Sequence, residues 1–192
     1  MELVPKTEAL SAIDRAFPHW KRLLSGEVYN HSENVCNLSL ILCERFGFDL
    51  NTKIEVAMGA LLHDIGKSQV NQDILDKVEK LTTDDRLLIE CHPQLGHQLL
   101  RKLCLPKIVI DIAHYHHEKL DGSGYPDALD ARKIDIRTQI VTVADMYDAM
   151  ATDRSYRPAM KNDEIFKILE EDNRLKINQT AVKILKSHIY EK

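Results

Sequence analysis

The sequence predicts an all-α protein, one helical bundle, on three observations. Apolar residues recur at spacings of three, four and seven along most of the chain, as one buried face of an α-helix requires. No segment sustains the strict period-two alternation of a half-buried strand. No Gly/Ser linker, internal repeat or low-complexity run divides the pattern, so the helices belong together.

Taken in order, "TEALSAIDRAF" supplies a few turns of helix ahead of the main pattern, and residues 1–26 are expected to be a short helical lead-in to a domain over 27–192. Val28, Val35, Leu38, Leu42 and Phe46 then share one helical stripe. Ile54, Ala57, Met58, Leu61, Leu62 and Ile65 share the next, with Gly66 as the expected stop. Thr82 is placed to cap a helix whose first turn is acidic, where the helix dipole favours carboxylates. Pro93 interrupts that run, and Pro106 opens another through Ile108, Ile112 and Tyr115. Ile136, Ile140, Val143, Ala144 and Tyr147 form a further face. The last helices are expected over 163–171 and 178–190, the second capped by Asn178.

The 192 residues suffice for one core without staples, and a net charge of −4 argues against a general affinity for long nucleic acid or anionic membrane. No stretch reaches the length of a membrane span, and the N-terminus has no apolar signal core. Cys36, Cys43, Cys91 and Cys104 form no CxxC pair. On one helix Cys36 and Cys43 would lie two turns apart, beyond the ~7 Å that a disulfide spans. They are expected to be reduced small hydrophobes in a cytoplasmic protein.

The polar residues carry the chemistry. Nine histidines is a high count for this length. His31, His63, Asp64, His92, His116, His117 and Asp145 each interrupt or border an apolar stripe. A buried imidazole or carboxylate without a partner costs several kcal/mol, roughly, so these groups need a common partner. A pair of first-row divalent ions suits a mixed nitrogen and carboxylate set, with Asp64 as the natural bridge. Two ions ~3.5–4 Å apart polarise a phosphoryl oxygen and generate a bound hydroxide. Lys67, one turn beyond Asp64, is positioned for a phosphate. Two loops follow histidines: "GKSQVNQ" and "EKLDGSGYPDALDAR", the second rich in turn residues and long for a bundle.

"HSENV", "LLHDIGK", "ILDKVEKLT", "HPQLG", "HHEKLDGSGYP", "VADMYDAM" and "TDRSYR" occur in that order over about 27–184. In this the chain resembles the HD-GYP family, a branch of the HD metal-dependent phosphohydrolases. The resemblance implies an HD-domain helical bundle with an HD-GYP extension loop, and an enzyme that hydrolyses cyclic di-GMP to pGpG and in some members to GMP. It implies two or three divalent metal ions, iron or manganese, held by His31, His63, Asp64, His92, His116, His117 and Asp145. Lys67 and Arg154 would meet substrate, and Asp121, Gly122, Gly124, Tyr125 and Pro126 would line the site. Glu27 lies one turn before His31, where some members hold a third metal. Glu118 is expected to support a ligand or the loop rather than to bind metal.

The family often has arginine where this chain has Asn34, and Phe-Asp-Pro where it has "KINQ". Most relatives carry an N-terminal sensor domain, and with only a short helical segment before residue 27 none is expected here. Two other readings share the motifs. One is a weakly active module that binds a cyclic dinucleotide or a GGDEF-domain partner, and the other a phosphodiesterase for a mixed guanine–adenine ring. A general nucleotidase would not explain the DGSGYP loop.

Overall fold

The computed structural model describes residues 3–77, 79–153 and 157–191. Its helices are α1 (Leu3–Ala16), α2 (Gly26–Arg45), α3 (Leu50–Leu62), α4 (Gln72–Leu75), α5 (Thr83–Glu90), α6 (His92–Leu100), α7 (Lys107–Tyr115), α8 (Ile136–Ala151), α9 (Asn162–Lys167) and α10 (Gln179–Tyr190). Short 3₁₀ turns cover Trp20–Leu23 and Ile65–Gln69. Asp121 and Asp130 form an isolated antiparallel bridge.

Local chemistry sets the helix ends. Ser25 Oγ accepts from Val28 N, Asp49 Oδ1 from Thr52 N and Asn178 Oδ1 from Ala181 N, each satisfying an amide that a helix start leaves free. Thr82 and Asp85 exchange bonds in a full capping box. The 163–171 pattern appears as α9 followed by a single π-turn over Ile168–Asp172.

The core sits where α3 packs against α1, α2 and α7, and where α2 meets α8. Leu42, Leu61, Leu62, Ile65, Leu100, Ile112 and Ile140 are fully buried within it. The segment over 3–26 joins the same cluster: Ala9, Ile13 and Trp20 are buried, and Trp20 Nε1 donates to Asp14 at 2.9 Å.

Two expectations need correction. Gly66 does not end a helix, because α3 already stops at Leu62 and Gly66 lies within the 3₁₀ turn. Its role is contact: a Cβ there would sit 1.9 Å from His92 O and 2.5 Å from Gly96 N. The cysteines are all free, but Cys91 and Cys104 are exposed, so only Cys36 and Cys43 serve as core hydrophobes. No described helix is long and apolar enough to cross a membrane.

Candidate metal centre

Five helices bring the polar residues together. His31 comes from the second turn of α2, and His63 and Asp64 follow the last turn of α3. His92 opens α6, while His116 and His117 follow α7 and Asp145 lies within α8. The Gly66–Gly96 approach allows α6 to lie against the turn after Asp64, which brings His92 beside that carboxylate.

The histidine rings are oriented by their outer nitrogens. His63 Nδ1 donates to Ala60 O at 2.7 Å and His92 Nδ1 to Ile89 O at 2.7 Å. His116 Nδ1 lies 3.1 Å from Ala113 O and 3.2 Å from Ile112 O. A proton on Nδ1 leaves the Nε2 lone pair of each ring facing inward, the arrangement a metal-binding histidine requires. His63 Nε2 is buried with no hydrogen-bond partner. His92 Nε2 and His116 Nε2 face each other at 3.2 Å. With both protons outside, those are two lone pairs with no hydrogen between them. An inward-facing set of neutral nitrogens around carboxylates fits divalent cations, which relieve both the orphan and the opposed pair.

Asp64 lies at the centre. Its Oδ1 is 3.2 Å from His92 Nε2 and 4.0 Å from His116 Nε2. Its Oδ2 is 3.4 Å from His63 Nε2, 4.0 Å from His31 Nε2, and accepts from Lys67 Nζ at 2.6 Å. The two oxygens thus address different donor sets. Donor atoms converge in three groups: His92, His116 and His117; His31, His63 and Asp64; His63, His116 and Asp145.

Protonation follows from burial and neighbours. Burial opposes the charge on Asp64, yet Lys67, His63 and His92 outweigh it and hold the carboxyl well below the usual range. Asp145 is likewise held well below, burial being overcome by His31, His63 and His117. Burial pushes the His63 and His116 imidazoles down, His116 strongly, and burial with the nearby His92 takes His117 to about 3. These three rings are neutral near pH 7, with lone pairs free for a cation. His31 goes the other way. Burial works against its charge, but hydrogen bonds to Asp145 and Asp148 raise it to about 9.

Asp148 is a residue the sequence reading did not assign. It is buried, and its Oδ2 lies 2.6 Å from His31 Nδ1. The spacing in "VADMYDAM" is the signal that was present, since Asp145 and Asp148 stand three apart and share a helix face.

Other expected site residues lie further out. Glu27 is exposed and lines a cavity of about 470 Å³ with His31, Asp64 and Lys67, but it is not in the converging groups. Apart from Ser25 and Val28 at the start of α2, the rest of that cavity comes from α4, α5 and the segment between them, and includes none of residues 121–126. The DGSGYP loop touches the cluster through Tyr125, whose ring stacks on His117 at 4.8 Å. Its other expected contacts are taken up by folding. Asp121 Oδ1 accepts from Ser123 N and Oγ, and Gly122 adopts φ +79°. A Cβ on Gly124 would strike Lys119 N at 2.4 Å, and the Tyr125–Pro126 peptide is cis. Glu118 anchors the loop rather than a histidine: it accepts from Asp127 N at 2.7 Å and Leu129 N at 2.9 Å. Arg154 lies outside the described residues.

A family model described as "HD domain" matches residues 21–180. The chain is 36% identical over 156 residues to the 3′3′-cGAMP-specific phosphodiesterase 3 of Vibrio cholerae, covering 81% of this chain and 34% of that protein. It is 36% identical to a cyclic di-GMP phosphodiesterase of Thermotoga maritima, over 75% of this chain and 40% of the relative. The chain thus spans little more than a third of the length of these curated relatives. Among solved structures it resembles an HDG"Y"P protein of Bdellovibrio bacteriovorus, with a TM-score of 0.73 and 25% identity, over 85% of this chain and 52% of that one. HD-domain phosphohydrolases bind divalent metals, and the His/Asp cluster here is of that kind. The family match, the helical fold and the ordered motifs make the chain a member of the HD-domain family, in its HD-GYP branch.

Proposed function

We propose that the chain is a metal-dependent phosphodiesterase that opens cyclic di-GMP to pGpG. The observation that carries this reading is the Asp64 carboxylate, one oxygen toward His92 and His116 and the other toward His31 and His63. Asp64 would take part in holding two ions. His31, His63 and Asp145 would complete one site, and His92, His116 and His117 the other. Iron or manganese suits this nitrogen-rich set with carboxylates. Bound there, the ions supply Lewis-acid polarisation of the phosphoryl oxygens and activation of water.

The chain's own residues do the rest. Asp64 and Asp145 remain ionised and balance the cations. The rings of His63, His92 and His116 hold their geometry through the backbone carbonyls. Lys67 donates to Asp64 at 2.6 Å and lines the same cavity, where it would place its charge beside a substrate phosphate. Glu27, exposed and outside the convergent groups, favours two ions over three.

The relatives named for 3′3′-cGAMP support the mixed guanine–adenine ring as a second substrate. A product assay decides. The chain is purified without oxygen, loaded with Fe(II) or Mn(II), and given each ring, with nucleotides followed by chromatography. Formation of pGpG from cyclic di-GMP is expected. Binding without turnover in fully metal-loaded protein would instead support an adaptor that recruits a GGDEF-domain partner.

A further inference from the structure

The 470 Å³ cavity extends well beyond the metal cluster, and its outer wall carries three cations. Lys77, Lys80 and Arg86 all line it, from α5 and the segment before it. Lys77 is held by Asp85 at 2.6 Å. Lys80 and Arg86 make no ion pair among the described residues. Arg86 has a ready partner in Glu90, four residues on along the same helix, and does not use it. Two acids, Asp76 and Glu79, line the same wall; Asp76 accepts from Gln72 at 2.9 Å, and neither is paired with Lys80 or Arg86 among the described residues. Ile74, Leu75, Leu81 and Ile89 supply apolar surface around the cations.

A cyclic dinucleotide carries two phosphodiesters in one ring. If one lies at the metal cluster, the other is an anion that must leave water within the same cavity, and it needs its own partner. Lys67 and the metal ions serve the first. A guanidinium offers a planar fork to phosphate oxygens, and a lysine adds a point charge. We infer that Arg86 and Lys80 form the subsite for the phosphodiester that is not cleaved, with the apolar side chains of the same wall against the nucleosides. The inference rests on the phosphodiesterase reading. Because both phosphates are common to all such rings, the subsite selects cyclic dinucleotides as a class and not one base over another.

The test is steady-state kinetics of the Mn(II)-loaded chain with cyclic di-GMP, the mixed ring and cyclic di-AMP. Where a ring is bound but not cut, its dissociation constant replaces KM. Arg86→Ala is expected to raise KM roughly 10- to 100-fold, the size of one charge-assisted contact, with kcat little changed. The rise is expected to be similar for every ring. Arg86→Lys recovers much of it, since a point charge still meets the phosphate, and Lys80→Ala gives a smaller rise. Both residues are exposed, so neither change threatens folding. An unchanged KM in Arg86→Ala, beside an active wild type, overturns the subsite alone. So does a loss confined to guanine-containing rings and not recovered by lysine, which marks a base contact. A wild-type chain that loads metal yet neither binds nor cleaves any ring overturns the phosphodiesterase reading and the subsite with it.

Discussion

His31 Nδ1 lies 2.6 Å from Asp148 Oδ2, and both residues are buried. The other ring nitrogen is 3.0 Å from Asp145 and 4.0 Å from Asp64. Asp148 therefore does for His31 what backbone carbonyls do for His63, His92 and His116: it fixes which nitrogen carries the proton and turns the other toward the cluster. Thr152 Oγ1 steadies it by donating to the second carboxylate oxygen at 3.2 Å. Asp148→Asn keeps the shape but can turn an amide N–H toward Nδ1, which moves the ring proton to Nε2 and removes a metal ligand. Metal affinity is expected to fall about 10- to 100-fold. Metal titration of the stripped chain measures the loss, and nitrogen NMR of the imidazoles reports the tautomer. An unchanged affinity would show that His31 does not depend on Asp148.

The same ring predicts how metal binding depends on pH. In the metal-free chain His31 is raised from 6.5 to about 9, so it is charged at pH 7.5 and must give up a proton when a metal takes Nε2. Apparent metal affinity should therefore climb from pH 6.5 toward 9 and then flatten. Calorimetry in two buffers of different ionisation enthalpy should find close to one proton released per chain at pH 7.5. The stability of the stripped protein runs oppositely. A folded-state pKa above the unfolded value contributes stability that is complete below 6.5 and disappears as pH rises through about 9. The melting temperature of the metal-free chain should fall across that window, and metal should abolish most of the fall. Proton release near zero would mean that His31 is not displaced by metal.

The helices were legible because their apolar spacing and caps are local. Thr82 with Asp85 and Asn178 with Ala181 are pairs three residues apart, and both form as the spacing implies. The convergent donors were legible as residue types but not as geometry. Nothing in the sequence says that Asp64 divides its oxygens between two sets, because that depends on how α6 and α8 lie against the end of α3. Glycines were misread for the same reason. Gly66 looks like a stop beside an apolar run, and only the packed structure shows His92 O in the space a side chain would fill. The DGSGYP loop meets the cluster through Tyr125, while its Asp and Gly residues shape the turn itself. The cavity beside Asp64 is walled by α4 and α5, which have no buried residue.

Gly66→Ala tests that packing. The added methyl would overlap backbone rather than a flexible side chain, so the 3₁₀ turn and α6 must separate. Overpacking of this kind costs about 1–3 kcal/mol. For a domain of this size that lowers Tm by roughly 2–10 °C. Separation also draws His92 from Asp64, so bound metal should decline together with Tm. A lower Tm with full metal content would assign Gly66 to stability alone.

Glu118 offers the corresponding test of the loop. Its buried carboxylate accepts two backbone amides, Asp127 and Leu129, on either side of Ala128, which adopts φ +53°. Two amides aimed at one carboxylate form a small anion-binding nest, here filled from within the chain. Glu118→Gln leaves an amide N–H facing one of those donors, at a cost of about 1–3 kcal/mol for the unsatisfied pair. The helices do not depend on it, so the helical CD signal should persist. Hydrogen exchange at residues 127 and 129 should accelerate, and the Tyr125 ring should lose its fixed stack on His117. If Glu118 were instead a metal ligand, the same substitution would lower metal content while leaving exchange at 127 and 129 unchanged. Exchange and metal content measured on one sample separate the two roles, and the hydrogen bonds favour the first.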